Sequence, residues 1–300
     1  MKYNIITNSI KSILFIAIIS FAIGCTNEEG VKETTEDLLV VDSTASSVLQ
    51  VGNVVFSIPS PIQTAVLIKD VGANYNKEML NPSENISYYS TNYQKALNLG
   101  IYGADLGYAS IYEQPQDGLK YLNSVKKLAD NIGVSGAFSA ETMKKITEYL
   151  GNTDSLLGMV STCYRSANAF LKENDREDVC ALILAGGWIE SIYFVTQIAG
   201  TMDNQKIIDR IGEQKNTLDN LIKLIEPHYN DPQFTELLDQ LYDLALEFDD
   251  VEIKFIFEKP THDNDNKITT VNSRSEVIIS DEQIKRISEK VFSIREQIIE

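Results

Sequence analysis

The 22 residues from Val179 to Gly200 contain one charged side chain, Glu190. A helix this long and this apolar has two stable placements: across a bilayer, or at the centre of a body whose other helices cover it on every side. Gly186-Gly187, Glu190, Ser191, Thr196 and Gln197 weaken its apolar character, and amphipathic segments flank it, so a buried central helix is expected. Asp175-Arg176-Glu177-Asp178 places acidic charge at its start, where it complements the helix dipole.

The covering helices are legible from periodicity and caps. Ser60-Pro61 with Gln63 forms a capping box for a helix that Gly72 can end, and a short helix covers Tyr75 to Leu80, stopped by Asn81-Pro82. A proline-free segment runs from Ile86 to Tyr112. Leu119, Leu122, Val125, Leu128, Ala129 and Ile132 then recur at spacings of three and four up to Gly133. Further helices follow from Ser139 to Leu150, Asp154 to Leu171, Asn204 to Ile225, and after Asp231-Pro232. The last begins at Ser280 with Gln283, and its stripe Ile284, Ile287, Val291, Ile294 and Ile298 is expected to dock on the body rather than pair with another chain. Val54 to Phe56 reads as a short strand or an apolar plug. Val251 to Phe257 and Val277 to Ile279 are β-rich and suggest a small hairpin near 251–279, with Thr261 to Lys267 a polar loop between them. The fold class is therefore mostly α: an antiparallel helical bundle or a short superhelical stack of about seven to nine helices. An offset of 85 residues aligns Ala96–Gly100 with Ala181–Ala185, Asp105 with Glu190 and Tyr108 with Tyr193, as a duplicated unit would.

The N-terminus is of another kind. Lys2 and Lys11 precede an apolar run from Ile13 to Ile23 that is too short to span a bilayer and has the form of a secretory signal. The step Ala22-Ile23-Gly24-Cys25 resembles the lipobox of bacterial lipoproteins, which implies a lipid on the Cys25 sulfur and cleavage before it. Glu28 and Glu29 are similar to the surface-export signal of Bacteroidota lipoproteins. The segments Phe56–Pro61, Tyr102–Leu106, Lys127–Asp130 and Leu184–Glu190 together resemble a group of helical lipoproteins from Bacteroidota, a resemblance that implies location and fold but no activity. The expected organisation is a signal peptide at 1–24, the lipidated cysteine and a flexible tether at 25–50, and a single helical domain at 51–300. The chain carries −17 net charge; without residues 1–24, which hold two lysines and no acid, it carries −19 over 276 residues. That balance excludes an electrostatic footprint for nucleic acid. The expected location is the bacterial outer membrane, periplasmic or surface-facing, with the membrane as partner through the lipid.

Candidate chemistry is sparse. With two histidines and three cysteines, no metal centre is expected and no cofactor is implied. His228 at a helix end and His262 in the polar loop are both expected to be exposed and outside any catalytic arrangement. Asp263 to Asn266 begins like a calcium loop, but Ile268 and Arg274 occupy its glycine and glutamate places, leaving at most loose cation binding. Cys163 and Cys180 flank a turn out of register for an easy disulfide, so free thiols are the default. What remains are polar residues within apolar helices: Asn98, Tyr102, Asp105 and Tyr108 on one, Trp188, Glu190 and Tyr193 on another. Beside the glycines they are candidates for a ligand pocket. Their bland alternative is packing, with the carboxylates paired to Arg165 or to tyrosine hydroxyls. The favoured function is a non-catalytic module binding a small molecule or a protein; the alternative is a lipid-anchored hydrolase using Asp105 and Glu190, which requires both carboxylates to open into one cleft.

Overall fold

The computed structural model describes residues 47–51, 54–58, 61–149, 152–263 and 268–300. The lipobox, Cys25, Ser60 and the run Asn264 to Lys267 lie outside them. Among the described residues are nine α-helices: α1 Pro61–Asp70, α2 Asn92–Ile111, α3 Pro115–Asn131, α4 Ala140–Glu148, α5 Thr153–Glu173, α6 Glu177–Ala199, α7 Gln205–Ile225, α8 Pro232–Phe248 and α9 Asp281–Ile299. The fold is mostly α, as composition and periodicity require.

The expected caps are largely in place. Asn204, Asp231 and Ser139 accept backbone N–H groups at the starts of α7, α8 and α4, and Ser280 with Gln283 forms the full capping box of α9. α1 and α3 stop where Gly72 and Gly133 take positive φ, 88° and 70°, the left-handed conformation that terminates a helix without a side-chain penalty. The segment read as one helix from Ile86 begins later, because Thr91 and Gln94 form a capping box that starts α2 at Asn92. The preceding Ser83–Ser87 is a 3-10 turn, and the short helix read at Tyr75 to Leu80 shrinks to the 3-10 turn Lys77–Met79.

α6 is long and apolar enough to span a membrane by length and composition, and its apolar window is wholly buried inside the body. It packs against α1, α2, α5, α7 and α9, while α2 also meets α3 and α9. The C-terminal helix thus returns to the two central helices, which closes the body; in a superhelical stack each unit meets only its sequence neighbours. α2 and α6 run in the same direction, since Gly100 meets Gly187, Asp105 meets Glu190 and Tyr108 meets Phe194. These partners lie 85 to 87 positions apart, close to the offset that aligns the two segments in sequence.

Their backbones touch. A methyl group placed on Gly100 would sit 2.0 Å from the Ile183 carbonyl oxygen, and one on Gly186 would sit 1.9 Å from the Leu97 carbonyl oxygen.

Short strands complete the chain. β1 Ser47–Val51 pairs antiparallel with β2 Val54–Ile58, so an ordered strand begins inside the segment read as tether. β3 Glu252–Ile256 pairs antiparallel with β6 Arg274–Ile278, the expected hairpin. The loop read at Thr261 to Lys267 is partly strand: β4 Thr261–Asp263 pairs with β5 Ile268–Thr270, a ladder that the β-branched Thr261, Ile268, Thr269 and Thr270 favour. The base of the β3–β6 ribbon lies on α7, where Val277 fills the space over Gly212.

Substitution of Gly186 by Ala must push two helix backbones apart and is expected to cost at least about 1–3 kcal/mol. Gly72→Ala meets nothing within 4 Å and carries only a left-handed backbone penalty, roughly 1 kcal/mol. Urea unfolding of the two variants checks the order; equal losses would contradict the backbone contact.

Candidate functional site

α2 and α6 bring all seven candidate residues into the core. On α2, Asn98, Tyr102, Asp105 and Tyr108 are fully buried, and on α6 Glu190 is likewise sealed, with Trp188 and Tyr193 nearly so. Spacings of three, four and seven on α2 align its polar groups along one face. That face meets a third element absent from the sequence-level reading, Arg295 of α9.

Arg295 grips Glu190 through two nearly parallel hydrogen bonds, Nε to Oε2 at 2.6 Å and Nη2 to Oε1 at 2.8 Å. Nη2 also donates to the Met79 carbonyl at 2.9 Å, and the guanidinium carbon lies 4.1 Å from the centre of the Tyr193 ring. This is a buried fork-on-carboxylate pair, strong because the geometry is bidentate and the remaining donor is satisfied. Burial opposes the Arg295 charge, but the Glu190 carboxylate beside it prevails and holds the guanidinium above its ordinary range. The partner anticipated for a carboxylate, Arg165, is instead exposed and donates to Thr162.

Asp105 has no such partner. Burial pushes its carboxyl well above the usual carboxylate range and the adjacent Glu190 charge adds to this, with only partial relief from Arg295. Its Oδ2 accepts from the Asn81 N–H at 3.3 Å, while Oδ1 receives no donor. This environment favours the neutral form of Asp105, which removes a second buried negative charge from beside Glu190.

The rest of the cluster holds the end of α9. Asn98 Nδ2 donates to the Ile298 carbonyl at 2.7 Å, and Tyr89 donates its hydroxyl to the Ile299 carbonyl at 3.3 Å. These are carbonyls left without partners at a helix C-terminus. Asn81 Nδ2 bridges Tyr89 and Asn98 at 2.9 and 3.2 Å. Tyr102 donates to the Pro82 carbonyl, Tyr108 accepts from the Asn76 N–H, and Trp188 donates to Gln214. The seven candidates are therefore engaged with the protein itself, and the carboxylate pair has no opening to a substrate. Both carboxylates are fully buried and Glu190 is paired with Arg295, so they do not open into the shared cleft that the hydrolase reading requires.

A concave site does exist on an adjacent face of α2, about 100° round the helix from the polar cluster. Leu99 and Leu106 of α2, with Ile183 of α6, contribute to a cavity of about 380 Å³. Leu122, Val125 and Ala129 of α3 line it, with Phe138, then Met143 and Ile146 of α4, and Cys163 and Ala167 of α5. Its exposed lining residues Lys126, Asp130, Ser135 and Ala140 mark the mouth. None of the seven candidates lines it. Gly103 of α2 contributes to its wall. The signal for this cavity was present as the apolar stripe of α3, but a stripe that packs and one that lines a hollow have the same periodicity.

The remaining reactive groups are quiet. Cys163 and Cys180 are free; burial pushes their thiols up to about 11 and about 12, and Cys180 donates to Asn168. His228 is half-buried against Phe234, contrary to the exposed position expected of it, because the turn after α7 folds its ring onto α8. His262 is exposed and bonded to Thr269. Among the described residues no three His, Cys, Asp or Glu side chains form a group able to hold a metal. Compared with family models, curated proteins and solved structures, the chain matches none.

Arg295→Ala leaves Glu190 buried without a counter-charge and is expected to cost about 3–5 kcal/mol in urea unfolding. Asp105 takes up a proton on folding, so the stability it contributes is full below the unfolded carboxyl value near 4 and is lost as pH rises toward its elevated folded value. Asp105→Asn, a permanently neutral isostere, is expected to flatten that decline by up to about 1.4 kcal/mol per pH unit. Thermal melts of wild type and Asp105→Asn between pH 4 and 8 test this, and parallel curves would contradict a protonated Asp105.

Proposed function

We propose that this chain is an envelope lipoprotein, anchored through Cys25 to the bacterial outer membrane, that binds a small apolar molecule without transforming it. The single observation that carries the binding half is the cavity between α2, α3, α4 and α5. Its 380 Å³ falls within the range of small-molecule sites, its walls are apolar, and its charges are confined to the mouth. Such a site holds a ligand by removing apolar surface from water, at roughly 25 cal/mol per Å². A non-catalytic role is supported by what lines the hollow: burial keeps the proton on the Cys163 thiol, and Lys126 and Ser135 stand at the exposed mouth rather than inside it. The anchoring half rests on the lipobox-like Ala22-Ile23-Gly24-Cys25 and the apolar run before it.

Two measurements on the full chain test the halves separately. An environment-sensitive fatty-acid probe is expected to bind wild type and to lose at least tenfold in affinity in Ala140→Trp, whose indole enters the mouth from an exposed position. Equal affinity in the two proteins, or no binding to either, rejects the cavity as the ligand seat. Metabolic labelling with a palmitate analogue is expected to mark wild type and not Cys25→Ala; labelling of both rejects the anchor.

A further inference from the structure

Exposed apolar side chains concentrate in one segment. Eleven large apolar side chains are exposed among the described residues, and five belong to the 252–278 ribbon: Phe255, Phe257, Ile268, Val271 and Ile278. Phe255, Phe257 and Val271 are 70–73% exposed, values that no packing role explains.

The register shows how this arises. Ile253 pairs with Val277, and Val277 is buried over Gly212 of α7. Successive side chains alternate faces, so Phe255, paired with Ser275, continues that same apolar face past the edge of α7, and Phe257 follows two residues later. The ribbon is thus docked at its base and bare toward its tip.

The sequence before the body limits how far the body can stand from its anchor. β2 also packs on α7, the helix that carries the ribbon. Only 22 positions separate Cys25 from Ser47 at the start of β1, so a bilayer holding a lipid on Cys25 lies within roughly 80 Å of that strand even at full extension. Tethering makes any second contact with that bilayer intramolecular, at an effective concentration on the order of millimolar, and a few apolar side chains then suffice to orient the body. The charges of residues 252–278 nearly balance, Lys254, Lys259, Lys267 and Arg274 against Glu252, Glu258, Asp263, Asp265 and Glu276, so the ribbon carries little net charge to oppose this.

We propose that the 252–278 ribbon inserts Phe255 and Phe257 into the surface of the lipid bilayer that carries the anchor, fixing the orientation of the body. The proposal rests on the lipoprotein reading for its tether, and its lipid contact is apolar and independent of headgroup charge. The pocket faces other helices and takes no part.

Trp188 is the sole native tryptophan and is sealed in the core, so a tryptophan at the ribbon reports on its own surroundings. Full-length Phe257→Trp is reconstituted on phosphatidylcholine vesicles with and without brominated acyl chains. Bromine is expected to quench the added emission at least twofold, with a blue shift, while wild-type Trp188 emission is unchanged, and both effects persist at high salt. Full-length Phe255→Asp/Phe257→Asp, altered only at exposed positions, is expected to keep the wild-type melting curve. In a Cys25→Ala background it is expected to float with vesicles at least tenfold less than Cys25→Ala alone. Unquenched, water-like emission from vesicle-bound Phe257→Trp overturns the proposal while leaving the anchor standing; quenching in a chain that carries no lipid label does the reverse. A blue shift that grows with protein concentration in the absence of vesicles assigns the ribbon to a second copy of the chain and overturns it too.

Discussion

Gly100 and Gly186 bring the backbones of α2 and α6 into contact, and the position of nearly every other element follows from that approach. Without side chains between them, the two central helices lie close enough for Asp105 to reach Glu190 and for Tyr108 to pack on Phe194. α3 covers the outer side of α2, α7 packs on α6, and α1 reaches both central helices, meeting α2 where Gly107 admits Ile62. The cavity belongs to the same arrangement: it is what remains where α2, α3, α4 and α5 meet without filling the space between them.

Close approach of two helices that each carry a buried carboxylate creates an electrostatic problem, and the chain's last helix resolves it. Arg295 supplies the counter-charge for Glu190, burial beside Glu190 favours the neutral form of Asp105, and Asn98 and Tyr89 use their remaining capacity to hold the terminal carbonyls of α9. A pair of this kind adds little net stability over an apolar replacement, yet it penalises any packing in which α9 is absent or out of register. The polar cluster therefore specifies how the chain closes on itself.

Much of the helical layout was legible locally. Caps at Ser139, Asn204, Asp231 and Ser280, the stops at Gly72 and Gly133, and the apolar stripes of α3, α8 and α9 each depend on neighbouring residues alone. The site was not. Glu190 and Asp105 stand out as charges in apolar helices, but their partner Arg295 is more than a hundred residues away. Its local clue, an arginine one turn from Val291 and Ile298 on the buried stripe of α9, is indistinguishable from a charge at the edge of an amphipathic face. The ribbon was half legible for a related reason: alternation marks strands, but which part of an apolar face is covered depends on where the ribbon meets α7.

The amino-acid sequence by itself determined that this is a mostly helical protein with one nearly uncharged central helix, because helix formation and burial of a long apolar segment are set by residue type and local spacing. It also determined the acidic balance and the lipobox-like N-terminus from which the anchoring proposal starts. Only the tertiary structure decided that α2 and α6 run parallel and touch through glycine, that the conspicuous carboxylates are sealed against Arg295, and that the accessible hollow lies on an adjacent face of α2. Those outcomes turn on contacts between residues far apart in the chain, whose free energies depend on distance, burial and partner geometry that no local pattern encodes.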